Sequence, residues 1–265
     1  MSIRISGRRA LVTGASGGLG AVIVGRLAAE GATVIATGRR LDVLDALALA
    51  TGAETIAADL ANTGDLMHLT EIAATVDLLV CNAALPATGP IDDFSVDQID
   101  RALAVNLRAP VLLARAAGAA MLSRGNGHIV FISSMAAKTP APCVGLYAAT
   151  KAAIRSLGLC LREDLHGTGV GVSVVVPGPI CDAGMWADAG LSTPKGLRTK
   201  TPRAVADAVV AAIEHNRAEI EVASPTLRAG ALLAHLRPEW FAALGRRNGA
   251  DTYRAAMTAA CLDKR

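Results

Sequence analysis

A doubly wound α/β fold, a parallel sheet of about seven strands between two layers of helices, is predicted by three features of the 265-residue chain. Short apolar runs alternate with longer Ala-rich stretches of helical period. Hydrophobic residues make up 52% and charged residues only 18%, as suits a sheet buried on both faces. A glycine-rich turn follows the first apolar run. No repeat, low-complexity segment or linker composition divides the chain, so a single domain over 1–265 is expected, ending in a helical extension.

Taken in order, Ala10–Thr13 and Thr33–Thr37 are short β-branched runs, and the stretch between them, Leu19–Glu30, has the length and period of a helix. The same alternation places strands at Glu54–Ala57, Leu78–Cys81, His128–Ile132, Val172–Val176 and Glu219–Val222. Helices are predicted at Leu41–Leu49, Gly64–Ala74, Val96–Met121, Tyr147–Leu165 and Arg203–His215. Thr201-Pro202 opens the last of these with a capping hydroxyl and a pre-set φ. Beyond the final strand, Leu227–Leu236 with Trp240, Phe241 and Leu244, interspersed with arginines, reads as an amphipathic extension. Packing over the site or between subunits is expected of it, rather than contact with a bilayer.

Composition removes several function classes. An aromatic share of 3% argues against stacking on single-stranded nucleic acid, and the net charge of +3 is read as spread along the chain without a basic block. The five cysteines, Cys81, Cys143, Cys160, Cys181 and Cys261, form no C-x-x-C and are odd in number, so neither a disulfide frame nor a zinc knuckle is expected. The five histidines form no H-E-x-x-H, and no metal site is expected. The opening MSIRISGRRALVTG runs straight into a strand without a signal-peptide pattern, and no apolar run is read as long enough to cross a membrane. A cytoplasmic protein with reduced thiols is the expectation.

The turn TGASGGLG lies between the first strand and the first helix, where a phosphate-binding turn belongs. Gly14 permits the tight turn, Gly18 lets backbone approach a pyrophosphate, and Gly20 lets the helix pack on the sheet, with free N–H groups facing the anion. A plain strand-to-helix turn is the alternative reading. At the end of the second strand stand Gly38, Arg39 and Arg40, with no acid. A carboxylate there would repel a 2′-phosphate, whereas a guanidinium can grip it; a solvated helix entrance is the alternative. Ser16 can offer a hydroxyl to the same region. NADP(H) is therefore expected, with NAD(H) as the second choice.

The spacing T-G-x-x-x-G-x-G of Thr13, Gly14, Gly18 and Gly20 resembles the short-chain dehydrogenase/reductase family. The resemblance runs from about Arg9 to Ile180 and includes Asn106, Ser134, and Tyr147 with Lys151 in YAATK. It implies a Rossmann fold and hydride transfer between a nicotinamide and a carbonyl or alcohol carbon. It also implies that Leu19 lies in the cofactor turn, that Asp59 accepts a hydrogen bond from adenine, and that Leu60 contacts the ring. Asp59 as the start of a turn is the alternative. Cys81-Asn82-Ala83-Ala84 resembles the family's N-N-A-G, departing from it at Cys81 and Ala84. Pro177-Gly178-Pro179-Ile180 resembles the segment that faces the nicotinamide carboxamide, with Asp182 where a hydroxyl residue is usual.

Tyr147 and Lys151, four apart, share one helix face, so an ammonium can lower the pKa of a phenol that otherwise titrates near ~10. Standing alone, the pair would read as an exposed helix pair. Ser134 lies thirteen positions before Tyr147 and is preferred to Ser133 because strand alternation sends the two hydroxyls to opposite faces. Asn106, polar among apolar neighbours, is either a kink or a functional residue; the resemblance implies that it holds a water linking Lys151 to solvent. In the implied mechanism Ser134 binds the carbonyl and Tyr147 transfers the proton.

The substrate is expected to be an apolar small-molecule carbonyl or alcohol. Pro140, Cys143 and Leu146 are read as one wall beside Ser134 and Tyr147, with Met185 and Trp186 in a lid between Pro179 and Pro202. A 3-oxoacyl-thioester reductase and a nucleotide-binding sensor or scaffold without turnover are the other readings. The helices Val96–Met121 and Tyr147–Leu165 are expected to pair with their copies in a homodimer or homotetramer.

Overall fold

The computed structural model describes residues 3–182 and 198–247. Its strands are β1 (Arg9–Thr13), β2 (Thr33–Gly38), β3 (Glu54–Ala57), β4 (Leu78–Cys81), β5 (Gly127–Ile132), β6 (Val170–Pro177) and β7 (Glu219–Val222). All pair in parallel, in the order β3-β2-β1-β4-β5-β6-β7. The chain builds outward from β1 through β2 to β3 and then returns to lay β4 on the other side of β1. The strand order thus reverses between β1 and β4, and the carboxyl ends of these two strands open a crevice where such sheets bind ligands.

Strand alternation divides the apolar residues between two cores. Ala10, Val12, Leu78, Val80, Val130 and Ile132 face one side, where they meet Ile23, Val24 and Leu27 of α1 (Gly18–Ala29), Leu44 of α2 (Leu41–Thr51) and Val205, Val209 and Ile213 of the later helix Pro202–Glu214. Leu11, Leu79, Ile129 and Phe131 face the other, against Leu66 and Leu69 of α3 (Thr63–Ala73), Leu113 and Met121 of α5 (Ala109–Arg124) and Ile154 of α6 (Gly145–Asp164). Each large side chain so buried contributes about 1.5–3 kcal/mol.

Two readings of the sequence are corrected. The predicted helix Val96–Met121 is α4 (Val96–Leu103) followed by a π-helical segment, Ala104–Arg108, and then α5, which runs to Arg124 and is closed by Gly125 at φ 68°. Together they make a 29-residue helical run with mean hydropathy 1.2 in its most apolar window, long and apolar enough by composition to cross a membrane. Half of that window is buried in this fold, because α5 is a core helix.

Helix α7 (Pro202–Glu214) begins as predicted: the Thr201 hydroxyl accepts from Ala204 N at 3.2 Å, with Pro202 in the first turn. After β7 come α8 (Pro225–Leu236) and α9 (Pro238–Arg247), joined through Arg237.

Candidate active site

Glycine-rich backbone shapes the first wall of the crevice. Gly14 has φ +69°, and a Cβ there would stand 2.7 Å from Ala83 Cα; at Gly20 a Cβ would fall on the Gly14 carbonyl. The turn and the first turn of α1 can close this tightly only with glycine at both places. Gly17 caps α1 without any side-chain bond, Gly18 is exposed, and no acid stands in the first turn. Half-buried Leu19 packs on the core from the same turn. An uncapped helix N-terminus in a glycine cradle is a site for a phosphate group.

At the end of β2, Gly38 lies against Ser16, where a Cβ would meet the Ser16 side chain. The two arginines divide: Arg40 donates from its guanidinium to the Ser16 carbonyl, whereas exposed Arg39 has no hydrogen bond or ion pair among the described residues. Asp59 accepts from Ala61 N at 3.0 Å and from Arg101 at 2.7 Å. Burial works to raise its pKa, but these two donors outweigh burial and hold the carboxyl below its ordinary value. Asp59 thus starts a turn, and Leu60 packs on the core from the same turn.

Across the crevice, the Thr13 hydroxyl receives Asn82 N and Ala83 N, each at 3.1 Å, and Asn82 Nδ2 donates to the Thr13 carbonyl at 3.0 Å. Thr13, which the sequence marked only as part of the turn motif, is the bolt between β1 and β4. Ala83 and Ala84 are half-buried beside it and leave the crevice floor without large side chains.

The four candidate catalytic residues come from β4's neighbours. Ser134, just past β5, acts to lower the pKa of the Tyr147 phenol, and its Oγ accepts from Ala136 N at 3.2 Å. Ser133 is buried and donates to the Lys151 carbonyl at 2.8 Å, so it fastens α6 instead. Lys151 is buried; its Nζ donates to Ile132 O at 2.8 Å and stands 5.9 Å from the centroid of the Tyr147 ring. Asn106, buried in the π-helical segment, accepts from Leu85 N at 2.7 Å and donates to Leu85 O at 3.0 Å and to Thr150 Oγ1 at 3.3 Å.

Burial sets the titration of this group. The Lys151 ammonium is brought down to about 8 and the Tyr147 phenol pushed up to about 12, with the Ser134 hydrogen bond acting against the latter. The expectation that Lys151 holds the phenol below its usual value is thus corrected for the ligand-free protein, because the ammonium is directed at Ile132 and desolvation dominates. Cys81, which the sequence noted only as a departure from the family pattern, is buried at the end of β4 and feels the charge of Lys151.

The segments that carry Ser134 and Lys151 meet on β7. Lys138, four residues past Ser134, pairs with Glu219 and, at 2.6 Å, with Glu221; Arg155, one turn past Lys151, pairs with the other Glu219 oxygen at 2.5 Å.

Past β6, Gly178 N donates to Val222 O at 3.0 Å, and a Cβ at Gly178 would press on Leu227 and Ala223. Pro177 ends β6, and Ile180 is buried in a bridge to Lys200. Asp182 is exposed, and the Cys181 thiol beside it donates to Lys200 O at 3.4 Å. Beside Tyr147 lies a cavity of about 410 Å³ lined by Gly89, Pro90, Ile91, Asp92, Ala141, Pro142, Cys143, Gly145 and Leu146. Cys143, at φ 60°, and Leu146, two of the three residues read as a substrate wall, line this cavity, whereas Ser134 and Tyr147 do not. Pro140 is exposed and does not line the cavity, and Ile91 on the opposite rim had no period or motif to reveal it. Met185 and Trp186 lie outside the described residues, with the rest of the predicted lid.

A family model described as short chain dehydrogenase matches residues 8–191. Ketoacyl reductase HetN of Nostoc sp. is 37% identical over 227 residues, 82% of this chain and 79% of its own. Among solved structures, a short-chain dehydrogenase from Sphingobium yanoikuyae in complex with NADPH superposes with a TM-score of 0.75 at 26% identity, covering 92% of this chain and 95% of that one. The bulky-bulky ketone specific alcohol dehydrogenase from Comamonas testosteroni superposes with a TM-score of 0.72 at 25% identity, covering 92% and 94%.

Proposed function

The chain belongs to the short-chain dehydrogenase family of oxidoreductases, and from that premise we propose that it moves a hydride between NADP(H) and the carbon of a small apolar carbonyl or secondary alcohol. The observation that carries this reading is the buried Lys151 Nζ standing 5.9 Å from the centroid of the Tyr147 ring, with Ser134 acting on the same phenol. A sensor or scaffold without turnover gives no reason to hold a cation in such a place against its desolvation.

Gly14, Ser16, Gly18, Leu19 and Gly20 would hold the pyrophosphate, Asn82 to Ala84 the ribose, and Pro177, Gly178 and Ile180 the carboxamide end. Asp59 and Leu60 would meet adenine through what their structural bonds leave open. Exposed Arg39, whose charge already acts on Asp59, and the absence of an acid at the end of β2 support NADP(H), and the Sphingobium relative is complexed with NADPH. When bound, NADP(H) supplies or accepts the hydride. Ser134 orients the substrate oxygen, and Tyr147 gives it a proton in reduction or takes one in oxidation. Lys151 holds ribose hydroxyls and, once turned from Ile132 O, stabilises the phenolate. The Asn106 side chain is committed to Leu85 and Thr150, so the water that links Lys151 to solvent would sit on a carbonyl freed from the α-helical ladder by the π turn. We place this chemistry in one domain of a cytoplasmic homodimer or homotetramer.

A second reading, reduction of 3-oxoacyl thioesters, is favoured by the name and the coverage of the Nostoc relative. NADPH and NADH oxidation followed against bulky ketones, small ketones and oxoacyl thioesters separates the two. Bulky apolar ketones turned over with NADPH are the expected result. Activity confined to thioesters would replace the first reading with the second, and none with any carbonyl would overturn both.

A further inference from the structure

The hairpin of α8 and α9 has an inner and an outer side. Inward, Leu227 and Ala231 pack on Val174, Val176 and Ala223, and Phe241 closes over Gly230. Outward, Leu232 is 67% exposed, Leu236 72%, Trp240 70% and Leu244 51%. The spacing of four keeps Leu232 with Leu236, and Trp240 with Leu244, within about 40° of each other on their helices. On the same wheels Arg228, which is paired with Glu221 at 2.7 Å, flanks the first pair, and exposed Arg247 flanks the second. The segment thus has two apolar sides, one packed on the core beside Gly178 and Met135 and one turned outward.

The charge is placed with the same bias. Residues 225–247 hold four arginines, Arg228, Arg237, Arg246 and Arg247, against the single acid Glu239. That excess of three equals the formal net charge of the whole chain, +3, so the remainder is balanced and the charge is not spread along the chain as first read.

We propose that this outer face docks on a bilayer surface containing anionic lipids. Exposed Leu and Trp flanked by Arg is the composition of a helix that lies in the interface, with aliphatic and indole groups among acyl chains and guanidinium groups at the headgroups. A second copy of the chain fits the face less well: an isologous contact would set these arginines against their own copies, whereas anionic headgroups neutralise them. Docking is independent of the proposed chemistry, although it would bring the crevice to apolar carbonyl compounds held in lipid.

The test is sedimentation of the full chain with phosphatidylcholine vesicles, with and without phosphatidylglycerol. Partition onto the phosphatidylglycerol vesicles is expected to be at least about tenfold stronger and to weaken with salt. Leu236→Glu and Trp240→Glu, both at exposed positions, are each expected to reduce it about tenfold with an unchanged melting temperature. Arg246→Glu combined with Arg247→Glu should abolish the preference for phosphatidylglycerol. The proposal is overturned by absence of vesicle binding at low salt, or by binding that survives the Leu236 and Trp240 substitutions. A concentration-dependent dimer that those substitutions dissolve, without vesicle binding, would assign the face to a second copy and overturn it as well.

Discussion

At the β1–β4 side of the crevice the polar atoms already hold the partners they will keep: Thr13 bolts Asn82 and Ala83, and Gly14 admits them at contact distance. At the β5–α6 side the groups are equally satisfied but by the wrong partners for chemistry, Lys151 by Ile132 O and Tyr147 in a pocket that raises its pKa to about 12. The first side is built from backbone, which has one arrangement. The second is built from ionisable side chains that folding alone drives toward their neutral forms. The backbone side is thus fixed by folding, while Lys151 must exchange Ile132 O for another partner before it can act on the phenol.

The sharpest way to test that contrast is Tyr147→Phe, which removes one hydroxyl from the second side. Turnover is expected to fall about 10³-fold, with NADPH affinity within about twofold of the parent; near-parental turnover would remove the phenol from the mechanism. Gly14→Ala attacks the first side. An L residue at φ +69° with its Cβ 2.7 Å from Ala83 Cα should lose about 2–4 kcal/mol of stability, read by thermal melting, and NADPH affinity with it. An unaltered melt would mean that the turn is looser than described.

Lys151→Met should make the protein more stable and inactive. The folded pKa of about 8 lies below the ordinary 10.5, so the stability associated with Lys151 is present above pH 10.5 and is lost as pH falls toward 8. At pH 7 an apolar replacement removes that penalty, about 3 kcal/mol; a lower melting temperature would contradict it. Arg39→Asp should shift the NADPH-to-NADH preference at least about tenfold, or about 1.4 kcal/mol. Equal shifts from Arg39→Asp and Arg40→Asp would erase the division between a free and a latched arginine.

His128, far from both sides at the amino end of β5, serves as the control. It is buried with Nε2 on Ser173 Oγ at 2.8 Å, and burial brings its pKa to about 3. The unfolded chain therefore binds the extra proton first, and stability should fall by about 1 kcal/mol between pH 6 and 5. His128→Asn should flatten that slope in urea melts without altering the pH dependence of cofactor binding.

The strands were legible because β-branched runs and their alternation are local properties, and Ser134 was separable from Ser133 for the same reason. Asn106 showed only that something interrupts a helix. That the interruption is a π turn depends on Leu85 and Thr150, distant in sequence, and no period announces it. The Arg101 partner of Asp59 and the packing of Leu60 on the core were not legible, since an ion pair across 42 positions is invisible to spacing. The cavity rim at Pro90 to Asp92 was missed because it is loop against loop.

Glu219 gives the site a schedule. Both its oxygens are taken, one by the segment behind Ser134 and one by the helix behind Lys151. On a ribosome, β7 emerges after every one of those residues, so Lys138 and Arg155 wait, two like charges on neighbouring segments, until the last strand arrives. The final strand adds little to the core, yet its arrival is the moment at which the reactive half of the crevice is finished.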